Sequence, residues 1–177
     1  MTTTFHTATT LDGFLADEHD SLDWLLAQPQ DDEQPFADFV AGVGALVMGR
    51  TTYTWVRDHL RAEGGAWPYA APTWVMTHAD PPLIEGADLR LAQGDVREVH
   101  AAMTAAAGGK DLWVVGGGDL AAQFAAAGLL DEVVVSIAPV TLGAGRPLFT
   151  RPFDLRLVEH ARNGAFLVAR YEVLGAR

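Results

Sequence analysis

The sequence predicts an α/β fold of three layers: a mixed, mostly parallel sheet with helices on both faces, finished by an antiparallel hairpin. Three observations predict it. Short apolar runs bounded by turn residues recur along the chain, as buried strands do. Amphipathic or Ala-rich segments alternate with them, and that alternation builds a partly parallel sheet covered on both faces. Near the C-terminus, Arg162-Asn163-Gly164 joins two strand-like runs, and Asn-Gly there is the strongest short-range hairpin signal.

The elements follow in order. Residues 3–10 form the first strand, and Asp12-Gly13 turns the chain after it. Gln28-Pro29-Gln30-Asp31-Asp32 reads as a loop. Pro35–Val43 is a helix with Phe36, Phe39, Val40 and Val43 on one face. Ala45–Met48 is a strand that meets Gly49 and a second helix. Loops at Gly64–Pro68 and Asp80–Pro82 bracket a strand at Thr73–Thr77. After a strand at Leu89–Leu91, Asp95 caps a helix running to about Ala107, with Gly108 just beyond its end. Leu112–Val115 is a strand, followed by three glycines and a helix at Leu120–Ala127 that Gly128 stops. Val133–Val140, Leu155–His160 and Phe166–Val173 complete the strands. No repeat or linker divides the chain, so residues 1–177 are expected to form a single domain.

Composition excludes several functions. There is no cysteine, which removes disulfides, thiolate nucleophiles and Cys-based metal sites and fits a reducing cytoplasm. The six histidines show no H-x-H or HExxH spacing, so no metal is expected. A net charge of −11 would repel a nucleic-acid backbone. No apolar run is long enough for a membrane span, and the N-terminus lacks the basic and apolar regions of a signal peptide. An anionic cofactor remains open, because local backbone dipoles outweigh global charge at short range.

Three segments carry chemistry. In Leu112-Trp113-Val114-Val115-Gly116-Gly117-Gly118-Asp119-Leu120 a strand passes through three glycines into a helix. Glycines admit close approach of a ligand to the backbone, and the helix start offers free N–H groups. One glycine would serve a plain turn, so three favour a diphosphate cradle. Residues 116–121 also match G-x-G-x-x-A, but this lies far along the chain and no ribose-binding acid follows at Ile137–Leu142. In Ala45–Tyr53, Arg50 adds a cation suited to phosphate, and Thr51 and Thr52 offer hydroxyls as caps. Taken alone that segment reads as a capped helix with a solvated arginine. The third segment, Thr9–Ala16, reads alone as a loop.

Together the segments resemble the dihydrofolate reductase family, most of all the branch with the reductase domain of riboflavin biosynthesis. The carriers are Thr-Leu-Asp-Gly-Phe-Leu-Ala at 10–16, Val-Met-Gly-Arg-Thr-Thr-Tyr at 47–53 and Val-Gly-Gly-Gly-Asp-Leu at 115–120. Gly128–Val133 leading into Ala138–Phe149 adds a fourth. The resemblance implies a dihydrofolate-reductase-like fold that binds NADPH. It places Gly49, Arg50, Thr51 and Thr52 on cofactor phosphates, and Gly116, Gly117, Gly118, Asp119 and Leu120 at the diphosphate turn. It puts Thr77 and His78 near the adenosine phosphate, and Thr9, Leu15 and Ala16 over the nicotinamide.

Two departures from the family pattern stand out. A basic residue often follows the glycines in these reductases, and here it is Asp119, so preference for NADP rests on Arg50 and His78. The pterin-binding carboxylate falls nearest Glu33, with Asp32 and Asp31 adjacent, or these are a solvated acidic helix start. Glu33 and Asp32 are the catalytic candidates. Trp24 is read either as pocket lining or as packing. The activity expected is hydride transfer from NADPH to a small pteridine or pyrimidine heterocycle, dihydrofolate-like. The alternatives are reduction of a ribosylaminopyrimidine in riboflavin synthesis and a nucleotide-binding dimer without turnover. For the riboflavin reaction the sequence shows neither an extra basic cluster to clamp a sugar phosphate nor the zinc deaminase often fused to that domain. A homodimer is expected from the resemblance.

Overall fold

The computed structural model describes all 177 residues. Eight strands form one sheet: β1 (Thr3–Thr10), β3 (Val43–Gly49), β4 (Thr73–Met76), β5 (Leu89–Ala92), β6 (Asp111–Gly116), β7 (Glu132–Ala138), β9 (Phe153–Asn163) and β10 (Phe166–Ala176). Their order is β5-β4-β3-β6-β1-β7-β10-β9. The first six are parallel, and the terminal hairpin pairs antiparallel through β10 onto β7. The mixed sheet and its closing hairpin are as the sequence predicts.

Four of the helices are α2 (Gln34–Gly42), α3 (Arg50–Glu63), α4 (Val96–Ala106) and α5 (Gly118–Ala126). Val99 and Met103 of α4 and Leu120 and Phe124 of α5 pack with Phe5, Val47, Val114 and Val133 on one sheet face. Phe39 and Val40 of α2 pack near Leu46 and Trp113, and Tyr53 of α3 against Met48 and Val75, on the other. Continuous apolar strands such as β3, buried from Val43 to Met48, follow from this double covering. Asp95 caps α4 by accepting from Arg97 N at 2.8 Å, and Gly108 and Gly128 end α4 and α5 with positive φ.

Four features differ from the sequence reading. Val43, expected on the apolar face of α2, instead begins β3. Helix α5 begins at Gly118 rather than Leu120, so the last glycine of the run belongs to the helix. Thr51 and Thr52 do not cap α3: Gly49 is its N-cap and no side chain closes the end. A short helix α1 (Asp23–Leu26) and a two-stranded sheet of β2 (Phe14–Ala16) with β8 (Arg146–Pro147) were too brief for any periodic signal. No helix is long and apolar enough to cross a membrane.

Candidate functional site

The carboxyl ends of β3, β4 and β6 open into one cleft of about 1670 Å³. Ligands of open α/β sheets bind at that edge. Single-ligand pockets run to about 1,000 Å³, so this cleft has room for two ligands side by side. It continues from the strand ends over β1, β7 and β10, on the face that α2 covers.

The first half is built from contiguous strand-to-helix turns. Gly49 leads β3 into α3, and Arg50, Thr51 and Thr52 line the cleft at the start of that helix. With no side-chain cap, the first-turn N–H groups and the positive end of the helix dipole stay available to an anion. Arg50 is exposed and has no carboxylate partner. Opposite, Gly116, Gly117 and Gly118 bring β6 into α5, with a cis peptide between Gly116 and Gly117. A Cβ on Gly117 would meet nothing within 4 Å, whereas one on Gly118 would overlap the carbonyl oxygens of Pro147 and Leu148. Gly118 thus lets the 147–150 segment close onto α5, and Gly117 leaves open space at the helix start. Asp119 is engaged at both oxygens, by Thr150 Oγ1 at 3.1 Å and Gln123 Nε2 at 2.7 Å. Thr77 and exposed His78 complete this half from the end of β4.

Asp12 positions the first loop. Its carboxylate accepts from Thr10 Oγ1 at 2.5 Å, and from Leu142 N at 3.0 Å and Gly143 N at 2.8 Å across the chain. These bonds, the Thr10 hydroxyl first, hold its carboxyl below the ordinary range. The brace and the β2–β8 pair set Leu15 and Ala16 in the cleft. Thr9 is not brought there: it is buried, and its hydroxyl donates to Phe14 O at 3.1 Å.

The second half is floored by the sheet. Register places His6 beside Val134, Val134 beside Arg170 and Arg170 beside Glu159 in one row. Ala8, Ser136 and Val168 form the next. Phe36 and Phe39 of α2 stand edge-on to His6, with ring centroids 5.3 and 4.4 Å away, and Trp113 backs all three. Burial lowers the His6 pKa to about 4, so the ring is neutral at pH 7. Its Nδ1 is buried without a hydrogen-bond partner.

Of the acidic trio, only Glu33 lines the cleft. Asp32 does not: its Oδ1 accepts from Gln34 N at 2.9 Å at the start of α2. Asp31 accepts from Gly164 N at 3.1 Å. Trp24 packs with Ala138 and Phe166, and its neighbours Leu22 and Leu25 line the cleft instead. The sequence reading missed His6, Ser136 and Arg170. Alternation along β1 marks His6 and Ala8 as one face, but only the register of four strands joins them to the rest.

A family model of the RibD C-terminal domain matches residues 67–168, which include the triple-glycine turn and floor strand β7. The chain belongs to the RibD C-terminal domain family. This RibD-type domain is 28% identical over 158 residues to the uncharacterised protein YwjB of Bacillus subtilis, covering 88% of each chain. It is similar to a protein from Shewanella sp. PV-4 assigned to riboflavin biosynthesis, with 27% identity, a TM-score of 0.81 and coverage of 98% of this chain and 99% of that one. It also shares the fold of a Thermotoga maritima diaminohydroxyphosphoribosylaminopyrimidine deaminase and 5-amino-6-(5-phosphoribosylamino)uracil reductase, at 15% identity and a TM-score of 0.68. That likeness spans 97% of this RibD-type chain and 56% of the Thermotoga one.

Proposed function

We propose that the protein is an NADPH-dependent reductase that transfers hydride to an aminopyrimidine-type heterocycle. One observation carries the reading. Two helix starts, α3 and α5, and the unpaired Arg50 share a single cleft with an aromatic-walled pocket. The open space at Gly117 lets a diphosphate reach the backbone, so the residues fit the cofactor. Gly49–Thr52 and Gly116–Leu120 would hold its phosphates, and Leu15 and Ala16 would cover its nicotinamide. The bound nicotinamide supplies the hydride. The chain orients the acceptor against His6, Phe36 and Trp113 and excludes water with those rings. A C=N acceptor also needs a proton at nitrogen, and Glu33, which lines the cleft, is the group that would relay one from solvent water.

Of the pteridine or pyrimidine expected, the relatives favour a pyrimidine, since one is assigned to riboflavin biosynthesis and another is a 5-amino-6-(5-phosphoribosylamino)uracil reductase. The test is a cofactor titration followed by a substrate panel. NADPH should raise the melting temperature, and an aminopyrimidine should drive NADPH oxidation faster than dihydrofolate. Turnover of dihydrofolate alone would restore the pteridine reading. NADPH binding with no oxidation by any heterocycle would leave a nucleotide-binding role.

A further inference from the structure

The cleft divides by charge. In its cofactor half Arg50 stands unpaired beside two helix starts. Over the β1–β7–β10 floor the arginine is already taken. Arg170 donates from Nη1 to Glu132 Oε1 at 2.9 Å and from Nη2 to Glu159 Oε2 at 3.1 Å. Arg146, which also lines the cleft, donates from Nε and Nη2 to both oxygens of Asp20, at 2.6 and 3.2 Å. The start of α2 is closed by the chain's own groups: Asp32 accepts from Gln34 N, and Pro35 has no N–H to give. Glu33 then adds a carboxylate to the lining. His6 stays neutral, and His160 sits on the exposed strand β9.

We infer that the floor half takes an uncharged, unphosphorylated planar heterocycle, unlike the phosphoribosyl compound named for the Thermotoga reductase. The inference rests on the reductase reading above and narrows its substrate. A phosphate there would face Glu33 and Glu159, and could recruit Arg170 only by breaking two charge-assisted hydrogen bonds. What the floor offers instead suits a neutral ring. Phe36, Phe39 and Trp113 supply apolar and edge contacts. Ser136 lines the floor with a hydroxyl that no protein group engages, and His6 adds a neutral imidazole. The chain carries two phosphate-selective features on the cofactor side, and the other two arginines of the cleft, Arg146 and Arg170, are held by carboxylates. Charge in the cleft thereby separates the two ligands.

The experiment compares a matched pair, 5-amino-6-ribosylaminouracil and its 5′-phosphate, by NADPH oxidation. A kcat/KM about tenfold or more in favour of the unphosphorylated member is expected, equivalent to ~1.4 kcal/mol. Equal rates or preference for the phosphate overturn the inference. So does turnover of neither while NADPH still raises the melting temperature. Failure of NADPH to bind overturns the reductase reading itself, and the melting shift separates the two failures. A second arm uses Glu159→Gln, which releases one of the two anchors on Arg170. The preference should move severalfold toward the phosphorylated member, and an unchanged ratio would show that the pairing of Arg170 does not exclude phosphate.

Discussion

Asn163 and Asp32 are held together across 131 residues of sequence by two hydrogen bonds: Asn163 Oδ1 accepts from Asp32 N at 3.1 Å, and Asn163 Nδ2 donates to Asp32 O at 2.7 Å. The same Oδ1 accepts from Asp31 N at 3.0 Å, and Ala165 N donates to Pro29 O at 3.1 Å. The tip of the β9–β10 hairpin thus fixes the loop before α2, and with it the position of Glu33 on the cleft rim.

Asn163→Ala removes these side-chain bonds while leaving Gly164 to make the turn. Stability should fall by about 1–3 kcal/mol, the sum for a few net hydrogen bonds. KM for the heterocycle should rise, and NADPH affinity should hold, because α3 and α5 lie on other elements. Steady-state kinetics beside a cofactor titration separate the two, and an unchanged KM would detach the loop from the substrate.

Arg50→Ala should weaken NADPH by about 1–3 kcal/mol, the range for a charge-assisted hydrogen bond, and leave NADH nearly unchanged. The reason is that Arg50 has no internal carboxylate to lose. Isothermal titration with both cofactors is the check. Equal losses would move Arg50 away from the 2′-phosphate.

The half of the cleft built from Gly49–Thr52 and Gly116–Leu120 was legible in sequence because each of its parts is contiguous: a strand, a glycine and a helix start within a few residues. The strands were legible for the same reason, with ends shifted by one to three residues, as where β7 stops at Ala138 rather than Val140. The floor was not. His6, Val134, Arg170 and Glu159 become neighbours only through the β1–β7, β7–β10 and β10–β9 registers, which local pattern does not encode. The acidic trio was ambiguous because three adjacent carboxylates look alike until their partners are known. Asp31 and Asp32 are bound to backbone N–H groups, and that leaves Glu33.

Strand β9 closes one side of the sheet with an outer edge of 11 residues and exposes Leu155, Leu157 and Val158. An unpaired edge that exposes apolar side chains invites pairing, and two identical edges meeting antiparallel close a two-fold dimer. Light scattering should give twice the 19.0 kDa chain mass. Leu157→Lys should return it to one chain, since it puts a charge in place of the most exposed apolar side chain of that edge. A wild-type mass of 19.0 kDa at working concentration would dispose of the dimer.

The adjacent glycines 117 and 118 should behave oppositely. Gly117 has φ −84° and open space around it, so alanine there leaves the fold intact. Its methyl group would project where a diphosphate approaches, and NADPH affinity should drop about tenfold or more, ~1.4 kcal/mol. Gly118→Ala drives a methyl into the backbone of Pro147 and Leu148, so it should lower stability by about 1–3 kcal/mol before any cofactor is added. Melting curves with and without NADPH distinguish lost binding from lost packing. Equal cofactor-induced shifts in wild type and Gly117→Ala would refute the cradle.

His6 should impose a pH dependence on stability. Burial lowers its folded pKa from 6.5 to about 4, because the charged ring loses hydration among Phe36, Phe39 and Trp113. Between those values the unfolded chain binds a proton that the folded chain does not. Stability therefore rises with pH through this window and is lost as pH falls from 6.5 toward 4. The full shift corresponds to about 3 kcal/mol at ~1.36 kcal/mol per pH unit. Below pH 4 both states are protonated and this contribution to the slope ends. His100 adds to the slope in the same direction, since burial lowers its pKa too. Asp12 acts elsewhere: its carboxyl is held below the ordinary 3.8, so its contribution fades only at more acidic pH. Comparing wild type with His6→Gln isolates the imidazole, because the amide does not titrate. Denaturant unfolding at steps between pH 7 and pH 4 should show the wild type losing stability faster than the variant. Parallel curves would mean that the ring is hydrated or paired when protonated, and that the floor of the cleft is wetter than its aromatic walls suggest.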